Sequence, residues 1–545
     1  MPDTVVFEAR EILTLDRRRL SATHVAVRDG KILGVGSLDD VAGWGGYTLD
    51  RRFRDHILTP GFVEGHAHMM TGGIWRYTYV GHMDRTDPKG RLWKAALSTP
   101  ELLARLSEAQ GGLGADEPLI AWGLDPLFLP GDRLSRWELD TVSSTRPIAI
   151  FHSNGHLLTV NSATLAAVGF DASAEAKGVL KRSDGEPNGE LQEFAAMMPV
   201  FRKLRIDIEG AADRPLTHRT YGEAARLTGV TTIADLGRSL ADADVDELLR
   251  FTAADDCPIR LATMLMAHSR PTPELIADAL RYRALSTDRL RLGGVKIIAD
   301  GSIQGYTARM RWPGYYKGVD HGIWNIAPAQ LDEQIDALNA VGIQIHVHTN
   351  GDEATDAALD AFEKALAKAP HRDHRHTLQH CQLADKAQFR RIKALGLCVN
   401  LFSNHLYYFG DKHYELTVGP DRAERMNAAA TALANGVPLA IHSDTPVTPL
   451  GPLTTAWCAV NRLSESGRVL GAAERISAQE ALHAITLGAA YTLKMDDKVG
   501  SIEIGKHADF AVLEESPLAV APEALKDIVV AGTVSGGRPM LQSTL

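Results

Sequence analysis

The chain has 545 residues, 45% hydrophobic and 23% charged, an ordinary globular balance that excludes global disorder and fibrous repeats. Its 68 acidic residues against 58 basic ones leave a net charge of −10, which offers nucleic acid or an anionic membrane no electrostatic attraction. No apolar run is long enough to span a bilayer, the N-terminus lacks the pattern of a signal peptide, and the four cysteines form no CxxC pair; the expectation is a soluble, cytoplasmic protein without a disulfide framework.

Residues 5–9, 24–28 and 31–35 read as short strands, with Asp29-Gly30 as a hairpin signal between the last two. Residues 508–513, 528–532 and 537–541 repeat that texture at the far end. Neither end buries a good core alone, so both are expected to build one small β-sandwich, from 1–56 and 495–545. The catalytic domain then occupies 57–494. Within it, strand-like runs at 57–68, 231–235, 259–265, 292–299, 343–348, 376–380, 398–401 and 439–444 alternate with amphipathic helical stretches. Eight such units predict an α/β fold, a (β/α)8 TIM-like barrel. The gap between Met69 and Thr231 far exceeds a crossover. Residues from about 75 to 215 therefore read as an insertion after the first barrel strand, the kind of segment that forms lids or pocket walls.

Polar residues gather at the C-terminal ends of these runs, the rim where a barrel assembles its chemistry. The first ends in His66-Ala67-His68, and two histidines at i and i+2 on a strand share one face. Lys296 lies on the fourth, while the fifth, sixth and eighth end at His348, His380 and Asp444. Four imidazoles and a carboxylate converging on one rim make a ligand inventory suited to zinc or a similar divalent ion. Trp75 and Trp122 in the insertion, and Tyr407 after the seventh strand, are candidate walls of an aromatic substrate pocket.

In this order the motifs become specific: Thr59 to His68, Ser153-Asn154-Gly155-His156, Val295 to Ser302, His348 to Asp352, Arg375 to His380, Ser443 to Val447, and Gly500 to Asp509. The chain resembles the amidohydrolase superfamily over nearly its whole length, in the branch of N-substituted formamide deformylases and related metal-dependent hydrolases (amidohydrolase family 3). The resemblance implies that His66 and His68 bind the more buried metal and that His348 and His380 hold a second. It implies that Lys296 is carboxylated and bridges the two, and that Asp444 touches both the first metal and the nucleophilic water. The implied cofactors are two divalent ions, zinc first with manganese, iron or cobalt as alternatives, and carbon dioxide as N6-carboxylysine at Lys296. The reaction implied is hydrolysis of a C–N bond of amide, N-formyl or carbamate type by metal-bound hydroxide, Asp444 shuttling the proton. His156 matches the branch's substrate-side motif.

Glu64, Asn350, Gln379 and His442 depart from the pattern without removing a ligand. His346 and His442 share faces with His348 and Asp444, and are read as lying one layer beneath the metals. Two other functions stand beside the hydrolase. A deaminase of the same superfamily is opposed by Lys296, and a catalytically silent regulatory protein by the full ligand set. The expected partner is a small-molecule substrate, with no nucleic acid and no membrane, and a homodimer is permitted.

Overall fold

Short runs of Val, Ile and Leu that are buried on both faces favour interior strands of a parallel sheet. Here they form β1 (Phe62–Ala67), β2 (Val230–Arg238), β3 (Arg260–Met266), β4 (Leu290–Ile298), β5 (Ile345–Thr349), β6 (Thr377–His380), β7 (Cys398–Leu401) and β8 (Leu439–Ile441). The structure, a computed structural model, describes residues 4–87, 91–318 and 320–541. The eight strands pair in parallel in sequence order, giving a nearly closed barrel. Helices cover its outside. In Asp352–Lys368 the buried Ala354, Ala358, Ala361, Phe362 and Ala365 recur every three or four positions, which is the face a helix lays on a sheet.

The barrel has a seam. Among the described residues no ladder joins β8 to β1; Val63 N–H instead donates to the Ile485 carbonyl (2.8 Å), and His68 N–H donates to the Thr445 carbonyl (3.0 Å). Between these bonds the buried Glu64 carboxylate accepts the Ser443 hydroxyl (2.8 Å) and the His66 N–H (3.2 Å). The seam therefore runs through the residues that flank the rim histidines.

Both chain ends enter one seven-stranded sheet, in the order Arg538–Leu541, Val530–Ser535, Phe510–Leu513, Tyr47–Pro60, Thr4–Asp16, Arg19–Arg28 and Lys31–Gly36. Phe7, Phe53, Phe510, Ile502 and Val534 share its core. Residues 1–3 and 542–545, assigned to this unit from the sequence, lie outside the described residues. One boundary moves. The run 57–68 is not a single barrel strand, because Ile57 and Pro60 pair with Leu513 and Phe510 in the terminal sheet. The chain changes sheets at Gly61, where a Cβ would lie 1.9 Å from Thr231 Oγ1.

The insertion carries a six-stranded sheet, in the order Val179–Lys181, Pro187–Gln192, Leu157–Val160, Ile148–His152, Leu119–Leu124 and Thr78–Tyr79. Its central strands feed two cores by simple alternation. Ile120, Trp122, Ala149 and Phe151 point to one cluster, and Leu119, Ala121, Ile148 and Ile150 to the other. From this unit helix α1 (Glu193–Leu204) runs along the open end of the barrel. No helix among the described residues is long and apolar enough to cross a membrane.

Candidate metal centre

The barrel rim brings together all six residues that the sequence singles out as ligands. His66 is the last residue but one of β1 and His68 follows its end, their rings 5.2 Å apart. His68 Nε2 lies 3.0 Å and His66 Nε2 3.4 Å from Asp444 Oδ1, so two strand-1 imidazoles and one carboxylate face a common point. Lys296 Nζ on β4 lies 3.4 Å from His66 Nε2. On the other side the His348 and His380 rings pack at 4.4 Å, and His380 Nδ1 sits 3.8 Å from Asp444 Oδ2. The strand β8 ends at Ile441, three residues before the run expected from the sequence, so Asp444 is placed by the turn beyond it. Its φ is +52° and that of His380 is +68°, left-handed conformations that cost about 1–3 kcal/mol each in residues with side chains and that cluster at functional sites.

A chain of hydrogen bonds beneath the rim fixes the imidazole tautomers. His66 donates Nδ1–H to Gln379 Oε1 (2.7 Å), Gln379 donates its amide N–H to His346 Nδ1 (2.8 Å), and His346 donates Nε2–H to the Thr492 carbonyl (3.1 Å). That leaves the His66 Nε2 lone pair facing Asp444. His348 Nε2 lies 3.2 Å from the Gly301 carbonyl and 3.1 Å from Asn350 Nδ2. Outer partners of this kind orient a ligand and fix which nitrogen offers its lone pair. His442 is different: it stacks on His66 at 4.7 Å, and neither of its buried nitrogens has a hydrogen-bond partner.

The electrostatics suit a cation. Burial first, then neighbouring positive groups, hold His66, His348 and His380 well below the ordinary histidine range, so all three are neutral donors. Burial acts to raise the Asp444 carboxyl, yet the hydrogen bond from His68 and the surrounding basic groups hold it below its ordinary value. Burial brings Lys296 down to about 7, against the pull of Asp444. Glu64 is pushed up to about 8, chiefly by burial. His380 Nδ1, buried without a hydrogen-bond partner and with a carboxylate oxygen 3.8 Å away, is the kind of orphaned donor atom a metal satisfies. The residues present fit a divalent ion.

Above this cluster lies a cavity of about 600 Å³. His156 faces it from the insertion, its ring 5.1 Å from that of His348 and its Nδ1 2.8 Å from Glu193 Oε2. Burial opposes a charged His156, but Glu193, with Asp300 and Asp444, raises it above the ordinary histidine range. The other three residues expected at the substrate lie away from this cavity. Trp75 and Trp122 pack on one another (4.9 Å) within the insertion's own core, and Tyr407 packs against Trp457 (5.4 Å) on the barrel. None of the three lines the cavity. Phe194, Met198 and Phe201 form the wall instead, on one face of α1 at i, i+4 and i+7, with Phe151 beside them. That spacing was present in the sequence and is the signal that could have found them.

Comparison with known proteins fits this geometry. The model of the Amidohydrolase family matches residues 54–541. Protein LONG AFTER FAR-RED 3 of Arabidopsis thaliana is 27% identical over 97% of this chain and 90% of its own length. N-substituted formamide deformylase of Arthrobacter pascens is 26% identical over 98% of each chain. In fold, the chain is similar to an uncharacterized metal-dependent hydrolase from Pyrococcus horikoshii, with a TM-score of 0.72 and 20% identity over 95% of this chain and 99% of that one. The chain belongs to the Amidohydrolase family.

Proposed function

We propose that this member of the Amidohydrolase family is a binuclear metal-dependent hydrolase of C–N bonds in small amides, N-formyl amines or carbamates. The observation that carries the reading is Lys296, buried among imidazoles and an aspartate with an amine brought down to about 7. A neutral amine takes up carbon dioxide: an N–C bond forms, a proton leaves, and the resulting carbamate offers two oxygens where an ammonium offers none. His66, His68 and Asp444 would hold one ion and His348 with His380 the other, with carboxylated Lys296 between them. Bound divalent ions, zinc first, supply an acidified water and polarisation of the substrate carbonyl.

The chain's own groups do the rest. Asp444 is placed to accept the proton of the attacking water and to return it to the leaving nitrogen, without which an amine leaves poorly. His156 is placed above His348 to orient the substrate oxygen. The apolar face of α1 keeps water from the cavity and suits an acyl or amine group that is partly apolar. The deformylase relative supports the N-formyl class within this reading. A small-molecule substrate follows from the cavity's size; a homodimer and a cytoplasmic location belong to the same proposal.

The test is metal analysis, native mass spectrometry and a screen of N-formyl and N-acyl amines on metal-loaded protein. The expected result is two ions per chain, a mass increment of one carbon dioxide and amine release. One ion without amide turnover would favour the deaminase, and neither ion nor turnover the regulatory protein.

A further inference from the structure

We propose that Glu193 positions His156 over the metal-ligand cluster by clamping the insertion to the barrel loop that follows Lys296. The proposal rests on the hydrolase reading only in taking the cavity above His348 as the place where substrate sits.

Glu193 holds His156 at two points. Its Oε2 receives the His156 Nδ1–H at 2.8 Å, and its own backbone N–H donates to the His156 carbonyl at 2.8 Å. With Nδ1 engaged, Nε2 is the ring nitrogen left for the cavity. The same Oε2 receives an N–H from Asn325 Nδ2 at 2.8 Å. Asn325 is stitched to the barrel in turn: its backbone N–H donates to the Ala299 carbonyl (2.9 Å) and its side chain to the Asp300 carbonyl (3.0 Å). One carboxylate oxygen thus ties a histidine of the insertion to the strand end that carries Lys296.

The local backbone is built around that contact. Glu193 begins α1 with a φ of +62°, a left-handed conformation that a residue with a side chain adopts only when its surroundings impose it. Its other oxygen, Oε1, is buried without a hydrogen-bond partner. Gly301 lies against it, and a Cβ at that position would stand 2.2 Å from Oε1. The glycine that makes room for Glu193 also places its carbonyl 3.2 Å from His348 Nε2. Glu193 therefore touches the supports of two histidines whose rings pack side by side at the cavity, 5.1 Å apart. Asn325 Nδ2 can only donate, and the His156 ring keeps its proton on Nδ1 only while a pure acceptor faces it, so a carboxylate serves here and an apolar side chain does not.

The test is a double-mutant cycle on metal-loaded protein, read by calorimetric binding of acetohydroxamate, a small metal-directed amide analogue. Glu193→Ala and His156→Ala should each weaken binding by about 10- to 100-fold, the range for losing a hydrogen bond to a charged group. Metal content should be unchanged, and the double variant should be no weaker than either single one. If Glu193→Ala fails to fold, Glu193→Gln carries the same cycle, with a smaller loss that also vanishes in the His156→Ala background. Losses that multiply, or unchanged binding by a folded Glu193→Ala, would overturn the proposal. A wild-type protein that loads metal but ignores acetohydroxamate would count against the hydrolase reading instead. The positioning is then judged from the ¹⁵N shifts of the His156 ring. A ring held with Nδ1–H in wild type and mixed in Glu193→Gln supports the clamp, and identical shifts refute it.

Discussion

The barrel rim and the insertion meet at one cavity, yet they arrive there by opposite routes. At the rim each chemical residue sits at or just past a strand end, where pleating and parallel pairing leave the side chain few directions to point. In the insertion the aromatic residues divide between two destinations. Trp75 and Trp122 go to the insertion's core, whereas Phe194 and Phe201, carried by α1, line the cavity, Phe201 being part of that core as well. Chemistry is held by strand geometry, while cavity shape is held by how one helix lies across the opening. Changes at the rim should therefore cost turnover, and changes in the insertion should cost stability or substrate range.

The largest effect should come from Asp444→Asn. It keeps the shape and one coordinating oxygen but cannot carry a proton, so amide turnover should fall about 10²–10⁴-fold with fold and most metal retained. Kinetics beside metal analysis check it; activity lost in step with metal would make Asp444 chiefly a ligand. Trp122→Ala should do the reverse, destabilising the insertion by about 3–5 kcal/mol, as for other large buried rings, while metal content stays intact. Thermal melts with metal analysis would show it, and an unchanged melt would break the contrast between the regions. Gln379→Leu cuts the hydrogen-bond chain behind His66 without touching the cavity wall, so metal affinity should drop about 10- to 100-fold in a chelator titration.

The smallest effect sharpens the contrast through pH. Asp125, in the insertion, is pushed up to about 7, chiefly by burial, from an ordinary 3.8. Between those values the folded chain binds a proton that the unfolded chain has lost, so its contribution to stability falls as pH rises through that window. Asp125→Asn should accordingly raise the melting temperature relative to wild type at pH 8 more than at pH 4. Equal shifts at both would place the cause elsewhere.

How much of this was legible in the sequence follows from the same contrast. The eight strands and the six rim residues were readable because apolar runs, crossover helices and strand-end motifs each mark a position along the chain. The exchange of sheets at Gly61 was hidden, since a continuous apolar run does not record which neighbours its two halves pair with. The positions of Trp75, Trp122 and Tyr407 were not legible, since an aromatic residue in an insertion or just past a strand suits a pocket wall and a dry core equally well. Glu193 gave no local signal, since its importance lies in partners 37 and 132 positions away.

The unladdered seam between β1 and β8 has a thermodynamic consequence. His66 and His68 stand on one side of it and Asp444 on the other, so any ion shared by the three is bound only by a barrel that has shut. Binding to the shut form alone makes the ion a contributor to closure, worth about 2.7 kcal/mol when free metal exceeds its dissociation constant a hundredfold. Stripping the protein with a chelator should then speed amide exchange at His68, whose N–H donates across the gap to the Thr445 carbonyl. Exchange in the terminal sheet should stay unchanged. The barrel would, in that sense, be a clasp pinned by the ion it holds.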